Sequence, residues 1–314
     1  MLKHPQTGRS VFTRSAADLL ALTSIATEVE VRCVDFTGQS QTYCQPEDVL
    51  TFARCIQRET TNDRDGIVIT HGTDTLEEVA YFVDETVVAS VPLVFTGAMR
   101  PGWATGFDGI SNLENALRVV QRATSEYGAL VTMNDEIFEA WSVYKADSGA
   151  IDAFAARRGA AIGRIIGDQV EFAWHPVPRA RFGKIPESLP TSVPIFTLGV
   201  ADDATLLDRV QDESLQGVII AAMAAGSIPP GARQRILALA ETGLPIVLCS
   251  SATSGRTAEH YYYPGAYDDL TAAGVAIEDY LTPRKARIRL MLSLGLHIPY
   301  VPFGQEFITE KTNT

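Results

Sequence analysis

Residues 65–87 read DGIVITHGTDTLEEVAYFVDETV. Ile67-Val68-Ile69-Thr70 is a short, continuous β-branched run, as expected of a strand buried on both faces of a parallel sheet. The polar HGTDT stretch breaks it, and LEEVAYFVDETV then repeats with helical spacing. Downstream, VPLVFTGAM predicts a second buried strand. GISNLENALRVVQRATSEYG predicts a helix ending at Gly128, and GALVTMND a third strand. This alternation argues for an α/β fold with a parallel, Rossmann-like sheet. Upstream, Ser15 is a good N-cap for AADLLALTSIA. Val29–Asp35 (VEVRCVD) alternates as a strand does, and Pro46 opens the helix PEDVLTFARCIQRE.

Residues 174–193 carry four prolines and several charges, the composition of a linker. Beyond them the alternation restarts with VPIFTLG, ATLLDRVQDE, GVIIAAMA, GARQRILALAETG and PIVLCSS. A last helix begins at Thr282-Pro283, buries Ile288, Met291 and Leu292, and ends at Gly295. The expected organisation is a larger α/β domain over 1–173, a linker over 174–193, and a smaller α/β domain over 194–314.

The 314 residues make two domains of about 150 residues the natural expectation. A net charge of −12 without a basic tract speaks against nucleic-acid and anionic-membrane partners. No apolar run reaches the ~18 residues of a membrane span. Cys33, Cys44, Cys55 and Cys249 form no Cys-x-x-Cys pair, and the five histidines are scattered. Neither pattern suggests a metal centre. The start, MLKHPQTGRSVFTRS, lacks the apolar core of a signal peptide, so the expected setting is cytoplasmic.

Ligands of open α/β sheets bind outside the carboxyl ends of the strands. Three polar segments fall there: Thr70–Thr75, Thr96–Pro101, and Asn134-Asp135 leading on to Lys145. In the first, Gly72 suits a tight turn, Thr73 and Thr75 offer hydroxyls, and Asp74 offers a carboxylate. The amides of the following helix point back at them. A hydroxyl, a carboxylate and oriented amides suit acyl chemistry, although a Thr/Asp helix cap would use the same residue types. A hydroxyl nucleophile needs a base. There is no G-x-S-x-G elbow, but a buried lysine can take that role. Of Lys3, Lys145, Lys184, Lys285 and Lys311, only Lys145 follows a buried strand of the first domain.

Gly66-Ile-Val-Ile-Thr-His-Gly-Thr-Asp-Thr-Leu-Glu-Glu-Val-Ala-Tyr-Phe82 resembles the second signature of the bacterial-type L-asparaginases, the asparaginase/glutaminase family. Further matches follow in the same order. They are Val94–Pro101, Asp108-Gly109-x-x-Asn112-Leu113-x-Asn115-Ala116, Val131–Asp135 with Lys145 and Asp152-Ala-Phe154, and Leu281-Thr-Pro-x-Lys285-Ala286-Arg287. The resemblance implies a cofactor-free hydrolase that releases ammonia from the side-chain amide of asparagine, with possible action on glutamine. It implies a catalytic triad of Thr73, Lys145 and Asp74. Ser40 and Gln41 would hold the substrate, and the Gly72 and Ala98–Met99 loops would line its pocket. It also implies assembly into homodimers or homotetramers.

The family opens with an apolar strand and a T-G-G-T-I signature carrying its first threonine. No such segment stands in this sequence, and Ala224-Ala225-Gly226-Ser227 lacks the asparagine that the family has there. Two expectations follow. Either the natural protein starts further upstream, which leaves export open and makes this chain less stable and poorly active as written, or the chain is a divergent member. The alternatives to asparagine hydrolysis are a catalytically inactive amino-acid-binding protein and an amidohydrolase for another small amide.

Overall fold

The computed structural model describes residues 2–3, 10–11, 15–25, 28–36, 45–176, 179–210, 215–257, 267–303 and 305. The chain divides into two compact units, Met1–Ile185 and Pro186–Thr314.

In the first unit, β1 (Leu2–Lys3) and β2 (Ser10–Val11) form a short antiparallel pair. Helix α1 (Ala16–Leu20) is capped by Ser15, whose hydroxyl accepts from the Asp18 amide while the Asp18 carboxylate accepts from the Ser15 amide. This reciprocal capping box fixes the helix start. Val29–Asp35 does not form the expected strand: it has no ladder partner among the described residues, and Val31, Val34 and Phe36 are exposed. An alternating pattern makes a strand only where one of its faces is covered. Helix α2 (Pro46–Thr60) begins with Pro46 at its first position and buries Leu50, Ala53 and Ile56.

The main sheet begins as the sequence predicts. Strands β3 (Ile67–Thr70), β4 (Leu93–Thr96) and β5 (Ala129–Met133) are parallel and adjacent, with Ile67 opposite Leu93 and Leu93 opposite Ala129. They are linked by α3 (Leu76–Thr86) and α4 (Gly109–Val120). The α4 helix stops eight residues short of Gly128. Thr124 turns extended, and Ser125–Tyr127 forms a separate 3₁₀ turn. That break lets Tyr127 bury its ring against Phe172, centroids 4.6 Å apart.

The sheet is mixed rather than wholly parallel. Beyond β5 come the antiparallel strands β6 (Glu136–Glu139), β9 (Gly163–Ile166) and β10 (Gln169–Phe172), giving the order β10-β9-β6-β5-β4-β3. Strands β7 (Val143–Lys145) and β8 (Phe154–Ala156) stand apart as a two-stranded ribbon with Lys145 opposite Phe154. Val94, Ala116, Val119, Leu130, Ile137 and Ile165 make the core between sheet and helices. The two buried acids at the end of α3, Asp84 and Glu85, are matched by Arg179, and Arg181 adds a second ion pair to Asp84. Such buried charges are tolerable only when paired in this way.

The second unit has an all-parallel sheet in the order β11-β12-β13-β14: β11 (Ile195–Thr197), β12 (Val218–Ala222), β13 (Ile246–Ser250) and β14 (Ala276–Glu278). Helices α5 (Leu206–Val210), α6 (Pro230–Glu241), α7 (Tyr267–Ala272) and α8 (Pro283–Gly295) accompany it. α8 is capped by the Thr282 hydroxyl and buries Ile288, Met291 and Leu292, as its sequence predicts. Helix α7 and strand β14 are additions the sequence reading lacks. No helix among the described residues is long and apolar enough to cross a membrane.

Candidate active site

The chemistry-bearing loop joins β3 to α3. Backbone pairing continues one residue past the strand, because the His71 amide donates to the Thr96 carbonyl at 2.8 Å. The His71 ring is buried. Its Nδ1 lies 2.8 Å from the Gly72 carbonyl, and burial pushes the imidazole below its ordinary pKa while that bond pulls the other way.

A close approach of the two loops falls at Gly97. Gly72 is not among the residues with positive φ. At Gly97, just past β4, a Cβ would stand 2.6 Å from the His71 carbonyl and 3.2 Å from the Thr73 methyl. Only hydrogen in place of a side chain lets the two loops pack at this distance.

Thr73 is not spent on capping. Thr75 is the N-cap residue of α3, and it makes no side-chain cap bond. The Thr73 hydroxyl accepts instead from the Lys145 ammonium, with Nζ to Oγ1 at 2.9 Å. Lys145 Nζ also reaches Asp74 Oδ1 at 3.3 Å. The lysine side chain is only 14% exposed, whereas that of Asp74 is 66% exposed. The three residues, singled out on two separate segments, therefore form one cluster at the carboxyl end of β3, with an amine sheltered beside a hydroxyl and a carboxylate facing solvent.

The neighbouring loop is held from α4. Asp108 accepts the Met99 amide through one oxygen and the Arg100 amide through the other, both at 2.9 Å. Asn112 donates to that carboxylate at 2.9 Å and to the Gly97 carbonyl at 3.0 Å, and accepts from the Asn134 amide at 3.1 Å. Asn134 and Asp135 both take positive φ, as the β5–β6 turn requires. Asp108 and Asn112 thus fix the Ala98–Met99 loop, a role the sequence reading did not give them. Their signal was a pair of polar residues four apart, one helical turn, at the start of an amphipathic helix. Ser40 and Gln41 lie outside the described residues. Among the described residues no group of three or more His, Cys, Asp or Glu side chains is arranged to hold a metal.

Fold and cluster together define a class: two α/β units, the first carrying a hydroxyl–amine–carboxylate site at the carboxyl edge of parallel strands. Residues 1–178 match the family model for the asparaginase N-terminal domain, and residues 192–298 that for the glutaminase/asparaginase C-terminal domain. The chain belongs to the asparaginase family and is by class an asparaginase-type amidohydrolase. It is 34% identical over 239 residues to a probable L-asparaginase of Deinococcus radiodurans, a match covering 74% of this chain and 71% of that protein. It is 32% identical over 243 residues to L-asparaginase 2-3 of Saccharomyces cerevisiae, covering 74% of this chain and 65% of that one. A crystal structure of a probable cytoplasmic L-asparaginase from Campylobacter jejuni superposes with a TM-score of 0.81 at 29% identity, covering 93% of both chains.

Proposed function

We propose that the chain hydrolyses the side-chain amide of L-asparagine to L-aspartate and ammonia through Thr73, Lys145 and Asp74. The observation that carries this reading is the 2.9 Å bond from Lys145 Nζ to Thr73 Oγ1. A threonine hydroxyl is a weak nucleophile until a base takes its proton, and an amine at hydrogen-bond distance is placed to do so. In this reading Lys145 reacts as the neutral amine: the hydroxyl oxygen of Thr73 adds to the amide carbon as that amine accepts the hydroxyl proton. That proton then passes to the departing nitrogen, which leaves as ammonia, and water completes the release of aspartate. The exposed carboxylate of Asp74 pairs with the α-ammonium of the substrate. Ser40 and Gln41 hold the rest of the amino-acid head, and the Gly72 and Ala98–Met99 backbones line the amide pocket. Glutamine is the natural second substrate, one methylene longer. A homodimeric or homotetrameric assembly and a cytoplasmic setting belong to the same reading. The family resemblance supports the first, and the description of the Campylobacter protein the second.

The test is ammonia release from L-asparagine by the purified chain, its Thr73→Val variant and its Thr75→Val variant. Thr73→Val is expected to lose about 10³-fold in kcat/KM, and Thr75→Val less than about threefold. Equal activity of Thr73→Val and the parent would overturn the assignment. Asparagine binding without turnover in the parent would favour the inactive amino-acid-binding protein, a reading that the altered Ala224–Ser227 segment supports.

A further inference from the structure

The lysine of the cluster does not stand on the main sheet. It ends β7, a three-residue strand whose ladder partner is β8 alone among the described residues. A two-stranded ribbon is marginal by itself. Something must therefore fix it against the β3–α3 loop if the amine is to stay at 2.9 Å from Thr73. Helix α3 supplies a group at the right place. Glu77, in its first turn, is only 4% exposed. Its Oε2 accepts the backbone amide of Lys145 at 2.5 Å. A carboxylate at a helix N-terminus is stabilised by the exposed amides of the first turn, and a hydrogen bond to an ionised acceptor is stronger than one between neutral groups. The amide and the ammonium of one residue are thus both bound by the segment Thr73–Glu77: the amide by Glu77, the ammonium by Thr73 and Asp74.

We propose that Glu77 is a positioning residue for the hydrolysis, clamping the main chain of Lys145 so that its amine meets the Thr73 hydroxyl. It acts through Lys145 rather than on the substrate. This inference rests on the catalytic reading of Thr73 and Lys145 given above. In the sequence Glu77 looks like an ordinary acidic residue of a first helical turn, which would be solvated. Its burial and its backbone partner, 68 residues away in sequence, set it apart from that expectation.

Two substitutions separate positioning from bulk stability. Glu77→Gln keeps an acceptor oxygen at the same reach. Glu77→Met keeps the volume and removes the acceptor. In steady-state hydrolysis of L-asparagine, Glu77→Met should lower kcat about 10–100-fold with KM within about twofold, as expected of a displaced catalytic group. Glu77→Gln should restore kcat to within about threefold of the parent. Hydrogen exchange resolved at the Lys145 amide should accelerate at least about tenfold in Glu77→Met and stay near the parent rate in Glu77→Gln. Should Glu77→Met melt below the assay temperature, Glu77→Asp takes its place, since a side chain one methylene shorter cannot hold the same bond and should show the same loss. Unchanged kcat and unchanged exchange in the variant without the acceptor would overturn the proposal. Equal loss in Glu77→Gln and Glu77→Met would also overturn it, because the bond would then not be the cause. Thr73→Val run alongside keeps the two readings apart. An active Thr73→Val defeats the catalytic assignment, whereas an inactive Thr73→Val beside a fully active Glu77→Met defeats only the clamp. If the parent releases no ammonia, the exchange measurement decides the clamp by itself.

Discussion

Both units end parallel strands in polar side chains, yet they use them in opposite ways. At the end of β14, Glu278 is completely buried. Its carboxylate accepts from the amides of Tyr280 (3.0 Å), Leu281 (3.3 Å) and Phe303 (3.0 Å) and from the Tyr300 hydroxyl (2.7 Å). At the end of β13, the Ser250 hydroxyl donates to the Ala224 carbonyl and accepts from the Ala252 amide. These groups are consumed by their own fold. At the end of β3, Asp74 keeps most of its surface in water and Thr73 meets a single amine. A polar group whose bonds are filled by backbone stabilises a turn, and one left facing solvent beside a sheltered amine is available for chemistry.

Substitutions on the two sides should therefore fail differently. Lys145→Met should remove about 10³-fold of kcat/KM, roughly 4 kcal/mol of transition-state stabilisation, while its thermal midpoint stays within a few degrees of the parent. Glu278→Ala should do the reverse. It leaves buried donors unmet and costs about 3 kcal/mol of stability, lowering the midpoint by about 10 °C in thermal denaturation. A stable Glu278→Ala protein would break the contrast from the structural side.

Gly97→Ala lies between these extremes, because the added methyl meets the His71 carbonyl at 2.6 Å. Overpacking of this kind costs about 1–3 kcal/mol. Activity should fall with stability, since the same methyl presses on Thr73, and both losses can be read on one preparation. The smallest effect concerns His71. Its ring titrates below the ordinary imidazole value of about 6.5 because burial disfavours the cation. The unfolded chain then binds the proton more readily, so the contribution of His71 to stability is full above pH 6.5 and declines as pH falls through that value. Glu139, whose carboxyl burial raises, acts with the opposite sign. The measurement is therefore a difference. Between pH 7.5 and 5.5 the parent should lose more thermal stability than His71→Asn does, and identical slopes would remove His71 from the account.

How much of this could be read in the sequence follows from which forces leave a local trace. Strands β3, β4 and β5 were legible because burial on both faces demands unbroken apolar runs. The starts of α2 and α8 were legible from Pro46 and Thr282-Pro283. The meeting of Thr73 with Lys145 followed from the family resemblance and from the lysine's place after a buried strand. Strands β6 to β10 were not legible: they are three or four residues long, and their pairing is decided by neighbours distant in sequence. Val29–Asp35 alternates convincingly, but no described partner covers it. Glu77 was hidden for a related reason, since nothing near it in sequence reveals that its partner is the amide of Lys145.

The central claim, that Thr73 and Lys145 act as one chemical unit, is tested most directly by a double-mutant cycle on L-asparagine hydrolysis. Thr73→Val, Lys145→Met and the double variant are compared with the parent in kcat/KM. If the hydroxyl works only through the amine bonded to it, each single substitution abolishes the same step, and the double variant is no slower than the worse single by more than about threefold. Losses that multiply, with the double variant slower by the product of the two single effects, would show that the residues act independently and would contradict the account.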